Sequence, residues 1–248
     1  GWRAGGCRAG GSRGCAGERV RGGGEEGAGH GGQVRGAVKL AGGSEGELYG
    51  SERIGWIAQL EQEHNNLRTA LDWSAVRGYA EPALRLAVAL WWFWATTGHI
   101  REGRERMDRL LARFPLKDGA PAERATLQAR VLLGNGMLAS MQGEHATARR
   151  LQEAGLAIRR TMTDRRGVFS ALEAVGTVAC LQEDYAGARR SLEEALAIAQ
   201  ELDDQTSAGN VMTLLGNVSY AVGDLNVARR YYDDGVAAFS AGRGDTYR

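Results

Sequence analysis

Only three prolines and three cysteines occur in the 248 residues. Cys7, Cys15 and Cys180 offer neither a disulfide framework nor a CxxC metal knuckle, which predicts a reducing, cytoplasmic setting. Lysine is nearly absent: Lys39 and Lys117 stand among 31 basic residues, the rest being arginine, a usage that fits GC-rich bacterial coding DNA. Charge of one sign is missing too. The formal net charge of +1 argues against a dedicated nucleic-acid surface, because phosphate binding needs a net basic face. The longest apolar run, Leu86 to Thr97, is well short of the roughly 20 residues a bilayer span requires, so no membrane partner is expected. There is no GxxxxGK[ST] loop, no nucleophile elbow and no histidine close to Cys180 in sequence. No catalytic residue, cofactor or metal is therefore expected, and the chain reads as non-enzymatic.

Glycine is abundant but unevenly placed, with 19 of the 37 glycines in residues 1–50. That stretch has neither period 2 nor period 3.6 and too few apolar residues to offset the cost of ordering its backbone. It is expected to be disordered and dispensable, or else mistranslated, since out-of-frame GC-rich DNA yields mainly Gly, Arg, Ala and Pro. GGGEEGAGHGG lacks the lysine and the preceding strand of a phosphate cradle. Gly1 opens the chain without methionine and no signal-peptide core follows, so the chain reads as part of a longer polypeptide.

From Ile54 the period becomes helical, with Ile54, Ile57, Leu60, Leu67 and Leu71 on one face. One helix is predicted over 51–77, ended by Gly78. A second has Pro82 in its first turn and Gly98 at its end, and a third runs from Ile100 to Phe114 before Pro115. No strand-like alternation follows residue 50.

Gly136, Gly176 and Gly216 lie 40 residues apart, and so do Ala148-Arg149-Arg150, Ala188-Arg189-Arg190 and Ala228-Arg229-Arg230. Each unit carries a turn between its Gly and its Ala: QGEH from Gln142, QEDY from Gln182, VGDL from Val222. The expected element is a helical hairpin whose small residues let two helices approach, with Asp164 and Asp204 capping the start of the next unit. An irregular earlier unit places Gly98, His99 and Gly103 where Gly143, Glu144 and Ala148 stand. The fold class predicted is all-α: a right-handed helical-hairpin solenoid of 40-residue period, made of a leading helix and irregular hairpin (51–115) and three regular units (122–248).

Gly, Ala twelve residues later and a large residue four beyond (Leu192, Tyr232) resembles the tetratricopeptide repeat, in a longer form that Gln152 departs from. WIAQLEQEHNNLRTALDW (Trp56–Trp73), ALRLAVALWWFW (Ala83–Trp94) and GHIREGRERMDRLL (Gly98–Leu111) resemble the segment that joins the ATPase core to the repeats in large bacterial signal-transduction ATPases, including LuxR-type and AfsR/SARP-type transcriptional regulators. Similar tails follow serine/threonine kinase and adenylate cyclase domains. The resemblance implies a sensor or interaction module whose nucleotide- and DNA-binding parts lie elsewhere in a longer polypeptide.

Other constellations favour structural roles. Glu61 and His64 form one ExxH, but a carboxylate-bridged metal pair needs two, and His99 with Glu102 reads as too isolated to help. Trp91, Trp92, Phe93 and Trp94 point different ways around a helix and should form core. Cys180 reads as a small buried thiol. The arginines of 101–113 and the repeated Arg-Arg pairs alternate with acids and read as solvated charge networks.

The binding candidate is the groove lined by the first helix of each hairpin. Helical spacing from the repeat glycines puts Arg130, Leu133, Met137 and Ser140 there, then Ser170, Glu173, Thr177 and Cys180, then Asn210, Thr213, Asn217 and Tyr220. Of these, Arg130, Glu173, Thr177, Asn210, Thr213, Asn217 and Tyr220 are the expected partner-binding residues. The expected partner is a protein or peptide, or the ATPase domain of the same polypeptide. Val227, Tyr231 and Val236 on the last helix suggest self-association through an uncapped end.

Overall fold

A computed structural model of the chain describes residues 53–245. The expectations about residues 1–50 lie outside the described residues. Nine helices and no strand occur among the described residues: α1 Arg53–Arg77, α2 Ala80–Thr97, α3 Ile100–Arg113, α4 Ala122–Met141, α5 His145–Arg160, α6 Arg165–Leu181, α7 Tyr185–Glu201, α8 Gln205–Ala221 and α9 Leu225–Asp245. None of them is long and apolar enough to cross a membrane.

The helix boundaries follow local chemistry. Gly78 and Gly98 take left-handed φ values of 81° and 84°, the conformation that ends a helix and that glycine adopts without a Cβ penalty. The apolar stripe of α1 buries Leu60, Leu67 and Leu71. α2 packs on α1, α3 and α4, which explains its unbroken aromatic run: Phe93 and Trp94 are fully buried, while Trp91 and Trp92 are half-buried on its flanks.

After α1 the helices pair as hairpins: α2/α3, then α4/α5, α6/α7 and α8/α9, each stacked on the next. The tightest point of each regular hairpin is set by its glycine. A Cβ at Gly136, Gly176 or Gly216 would stand 2.9, 2.7 and 2.5 Å from Gln152, Leu192 and Tyr232 respectively, so the small residue is required by the side chain sixteen positions later. Ala148, Ala188 and Ala228 are buried at the same crossing. The hairpin turns also repeat, with Gly143, Glu183 and Gly223 at φ 78°, 61° and 85°.

Aspartates start the helices. Asp164 and Asp204 accept hydrogen bonds from the Gly167 and Ser207 amides at 2.9 and 3.0 Å, satisfying donors that the first helical turn leaves unpaired. Asp184 and Asp224 do the same inside hairpins, from Gly187 and Val227. Exposed ion pairs join successive units, among them Arg149–Asp184 at 2.6 Å, Arg160–Glu194 at 2.7 Å and Arg166–Asp204 at 2.8 Å. Each is worth little alone, on the order of 0–1 kcal/mol.

Two expectations need correction. Arg104 and Arg106 are buried and not on a solvated face. Arg106 bonds Asp72 of α1 at 2.6 Å and Glu102 at 2.7 Å; Arg104 reaches Asn135, Gln142 and Glu144 of the next hairpin. Both guanidiniums are buried because neighbouring helices supply their acceptors. Cys180, expected buried, is half-buried; the partial burial still pushes its thiol pKa up.

Candidate functional site

The first helices of three successive hairpins, α2, α4 and α6, line a cavity of about 520 Å³. Its apolar wall is Val88, Trp91, Leu133 and Met137, and its polar side carries Arg130, Arg159 and Arg166 with Asp164 as the one acid. Three guanidiniums and one carboxylate thus face the cavity. Trp91 can lie across from α2 because Gly134 gives way: a Cβ there would meet its Cγ at 3.1 Å.

Each arginine is held differently. Arg159 is buried and bonds Asp164 at 3.0 Å; burial disfavours its charged form, Asp164 counters that, and the net effect lowers its pKa. Arg166 is exposed and reaches Asp204 of the next unit. The carboxylate of Asp164 therefore both caps α6 and anchors Arg159.

The sequence-derived groove positions divide. Arg130, Leu133, Met137 and Ser170 line this cavity. Glu173 and Thr177 continue along α6 half-buried, the Thr177 hydroxyl donating to the Glu173 carbonyl. Burial alone raises the pKa of the Glu173 carboxyl. Asn210, Asn217 and Tyr220 are exposed on α8 and Thr213 is half-buried there, outside the cavity. Asn217 accepts a hydrogen bond from the Tyr232 hydroxyl at 2.9 Å. Ser140, expected in the groove, is buried. Sequence spacing missed Arg159, Asp164 and Arg166, which come from the end of α5 and the start of α6. They enter the cavity because the connection between hairpins folds over its rim, and helical spacing counted from a single glycine carries no signal of that.

A second group of polar side chains gathers around the turn between α2 and α3. His99 and Glu102 are not isolated, as their sequence positions suggested: Glu61, His64 and His99 place one carboxylate oxygen and two ring nitrogens within 4.8 Å of one another, and Glu102 stands 3.5 Å from His64. Burial outweighs the acids and lowers the His64 pKa. On α9, Val236 is exposed while Val227 and Tyr231 are half-buried.

The fold and the hairpin register define a tetratricopeptide-like helical solenoid. Residues 167–241 match the family model described as tetratricopeptide repeat. No curated protein matches. Among solved structures, the chain is similar to BtubC (BKLC) from P. vanneervenii, at TM-score 0.60 and 17% identity over 87% of this chain and 92% of that one. It is also similar to the TPR-like repeats of a Podosopora anserina "putative kinesin light chain", at TM-score 0.63 and 16% identity, covering 84% of this chain and 96% of that one. At that identity the likeness is one of fold.

Proposed function

We propose that this chain is a non-catalytic protein-interaction module that docks an acidic peptide segment bearing a bulky apolar side chain. The cavity between α2, α4 and α6 carries the reading: it sets Trp91, Leu133 and Met137 beside Arg130, Arg159 and Arg166, pairing an apolar seat with an arginine-bearing rim. Glu173, Thr177, Asn210, Thr213, Asn217 and Tyr220 would extend the contact along α6 and α8. Charge complementarity would speed encounter and reject basic segments, while the apolar seat would hold the anchor residue.

The module would belong to a bacterial ATP-dependent transcriptional regulator, with the irregular unit of residues 51–115 leading from the ATPase core to the regular repeats at 122–248. The resemblance of the Trp56–Leu111 segments supports this reading. Its groove would hold a partner or the ATPase domain of the same polypeptide, and binding would shift an inactive-to-active equilibrium. A kinase or adenylate cyclase tail, or a free-standing scaffold, is the alternative; the coding sequence upstream of residue 51, read in all frames, distinguishes them by a Walker motif, a kinase catalytic loop or neither.

Binding is tested with a library of fluorescent peptides on the full chain. Acidic peptides with one Leu, Phe or Trp should bind, and Arg130→Glu should weaken them by about tenfold or more, a change of about 1.4 kcal/mol. Equal binding of basic peptides, or indifference to Arg130→Glu, would overturn the reading.

A further inference from the structure

Around the α2–α3 turn, two helices and a turn contribute donors from distant parts of the sequence. Glu61 and His64 lie one turn apart on α1, and His99 sits in the turn that follows α2. His64 is wedged between Phe93, ring centroids 5.3 Å apart, and His99, 4.5 Å apart. The His64 Nε2 atom is buried and makes no hydrogen bond. An imidazole nitrogen in that state has lost its water without gaining a partner, a condition that calls for an explanation in a folded protein.

The distances suit a small cation. The His99 Nε2 and Glu61 Oε1 atoms are 3.5 Å apart; two such ligands on a tetrahedral zinc, at about 2.0–2.2 Å from the ion, stand about 3.4 Å apart. One donor atom from each of Glu61, His64 and His99 falls within 4.8 Å of the other two, so small side-chain rotations would close the triangle. Glu102 faces the same place. Its Oε1 pairs with Arg68 at 2.9 Å and accepts from Arg106 at 2.7 Å, and its Oε2 is turned to His64 Nε2 at 3.5 Å. The two guanidiniums therefore occupy one oxygen and leave the other facing the imidazole without a hydrogen bond to it. Beneath the group lies Phe93, which is fully buried, so the floor is apolar and water reaches the donors only from outside.

We propose that Glu61, His64 and His99 bind a divalent cation of the zinc class, with the Glu102 Oε2 atom beside them as a further donor, and that the ion clasps α1 to the turn between α2 and α3. Two imidazoles and one carboxylate favour zinc, cobalt or nickel over magnesium and calcium, which prefer oxygen donors throughout. Three protein ligands leave a fourth position for water or a further donor. Because the ligands come from α1 and from the α2–α3 turn, binding would stabilise the seat of the leading helix on the hairpin stack without touching the cavity between α2, α4 and α6.

The test uses the full chain after treatment with EDTA, titrated with Zn²⁺ by calorimetry, and with Co²⁺ followed by visible absorption. Residues 1–50 hold Cys7, Cys15 and His30, so the reading rests on differences between variants. Glu61 and His99 are 42% and 35% exposed, so Glu61→Gln and His99→Ala leave the core intact; unchanged helical circular dichroism checks this. Each should weaken one Zn²⁺ site by more than the roughly 10- to 100-fold that loss of an outer partner causes. Each should also abolish the tetrahedral cobalt band and remove the rise in melting temperature that Zn²⁺ gives the parent. His145→Ala, which changes a histidine far from the turn, should behave as the parent, and Mg²⁺ should not compete. The proposal is overturned if the parent binds no Zn²⁺, if Glu61→Gln and His99→Ala bind it as the parent does, or if Mg²⁺ competes at equal concentration.

Discussion

Glu173 shows how one side chain can carry a cost that its sequence position hides. It sits half-buried on α6, and burial is the cause of its raised pKa. The folded chain then holds that proton more tightly than the unfolded chain, so stability falls as pH rises from the unfolded value of about 4.3 through the higher folded one. Glu173→Gln removes the cost of burying a charge. It should make the protein more stable than the parent at pH 7 and no different near pH 3, measured by urea unfolding at both values; a difference that does not depend on pH would contradict the assignment. Asp184 has the opposite sign. The Gly187 amide, with Arg149 beside it, holds its carboxyl below the ordinary carboxylate range, so its contribution is present above about pH 3.9 and lost as pH falls through the folded value. The identity of both residues is plain in the sequence, but their opposite environments depend on what packs beside them.

At the scale of the hairpin, the repeat register is a statement about contact. Gly176 faces Leu192 and the Ala188 carbonyl, and Ala188 is fully buried where α6 and α7 cross. Ala186, two residues earlier, lies in the first turn of α7 and is exposed. Ala188→Leu should force the helices apart and cost about 1–3 kcal/mol. Ala186→Leu should stay within about 0.5 kcal/mol of the parent. Equal losses in chemical denaturation would mean that the crossing is elsewhere. This register was legible because a close approach demands a small residue at the same place in every unit. The burial of Arg104 and Arg106 was not, since arginines spaced three and four residues from acids look the same whether they face water or another helix. Asp72, 34 residues before Arg106, and Glu144, 40 after Arg104, make the difference.

Over the whole molecule, stability should run along the stack. α7 packs on both α6 and α8, whereas α9 packs chiefly on α8. In a quasi-one-dimensional array each unit draws its stability from its neighbours, so amides of the α8/α9 hairpin should exchange faster than the matching amides of α6/α7 in this chain. Hydrogen exchange with α8/α9 as the best-protected regular hairpin would refute that ordering. Exposed Val236 on α9 is where we would expect self-association to begin, and sedimentation over a concentration series measures it.

The amino-acid order alone determined the all-α class, the 40-residue period, the hairpin turns and the helix stops at Gly78 and Gly98. These are local or periodic properties, written in glycine, proline and the 3.6-residue spacing of apolar side chains. Part of the cavity was legible as well: Arg130, Leu133, Met137 and Ser170 follow from helical spacing within α4 and α6. Only the tertiary structure brought Trp91, Arg159 and Arg166 to the same cavity and joined His99 to Glu61 and His64. Those groupings arise where one hairpin rests on the next, or where a leading helix lies against a turn 35 residues further on. A linear pattern records what each helix offers to its surroundings; which neighbour receives it is decided by packing.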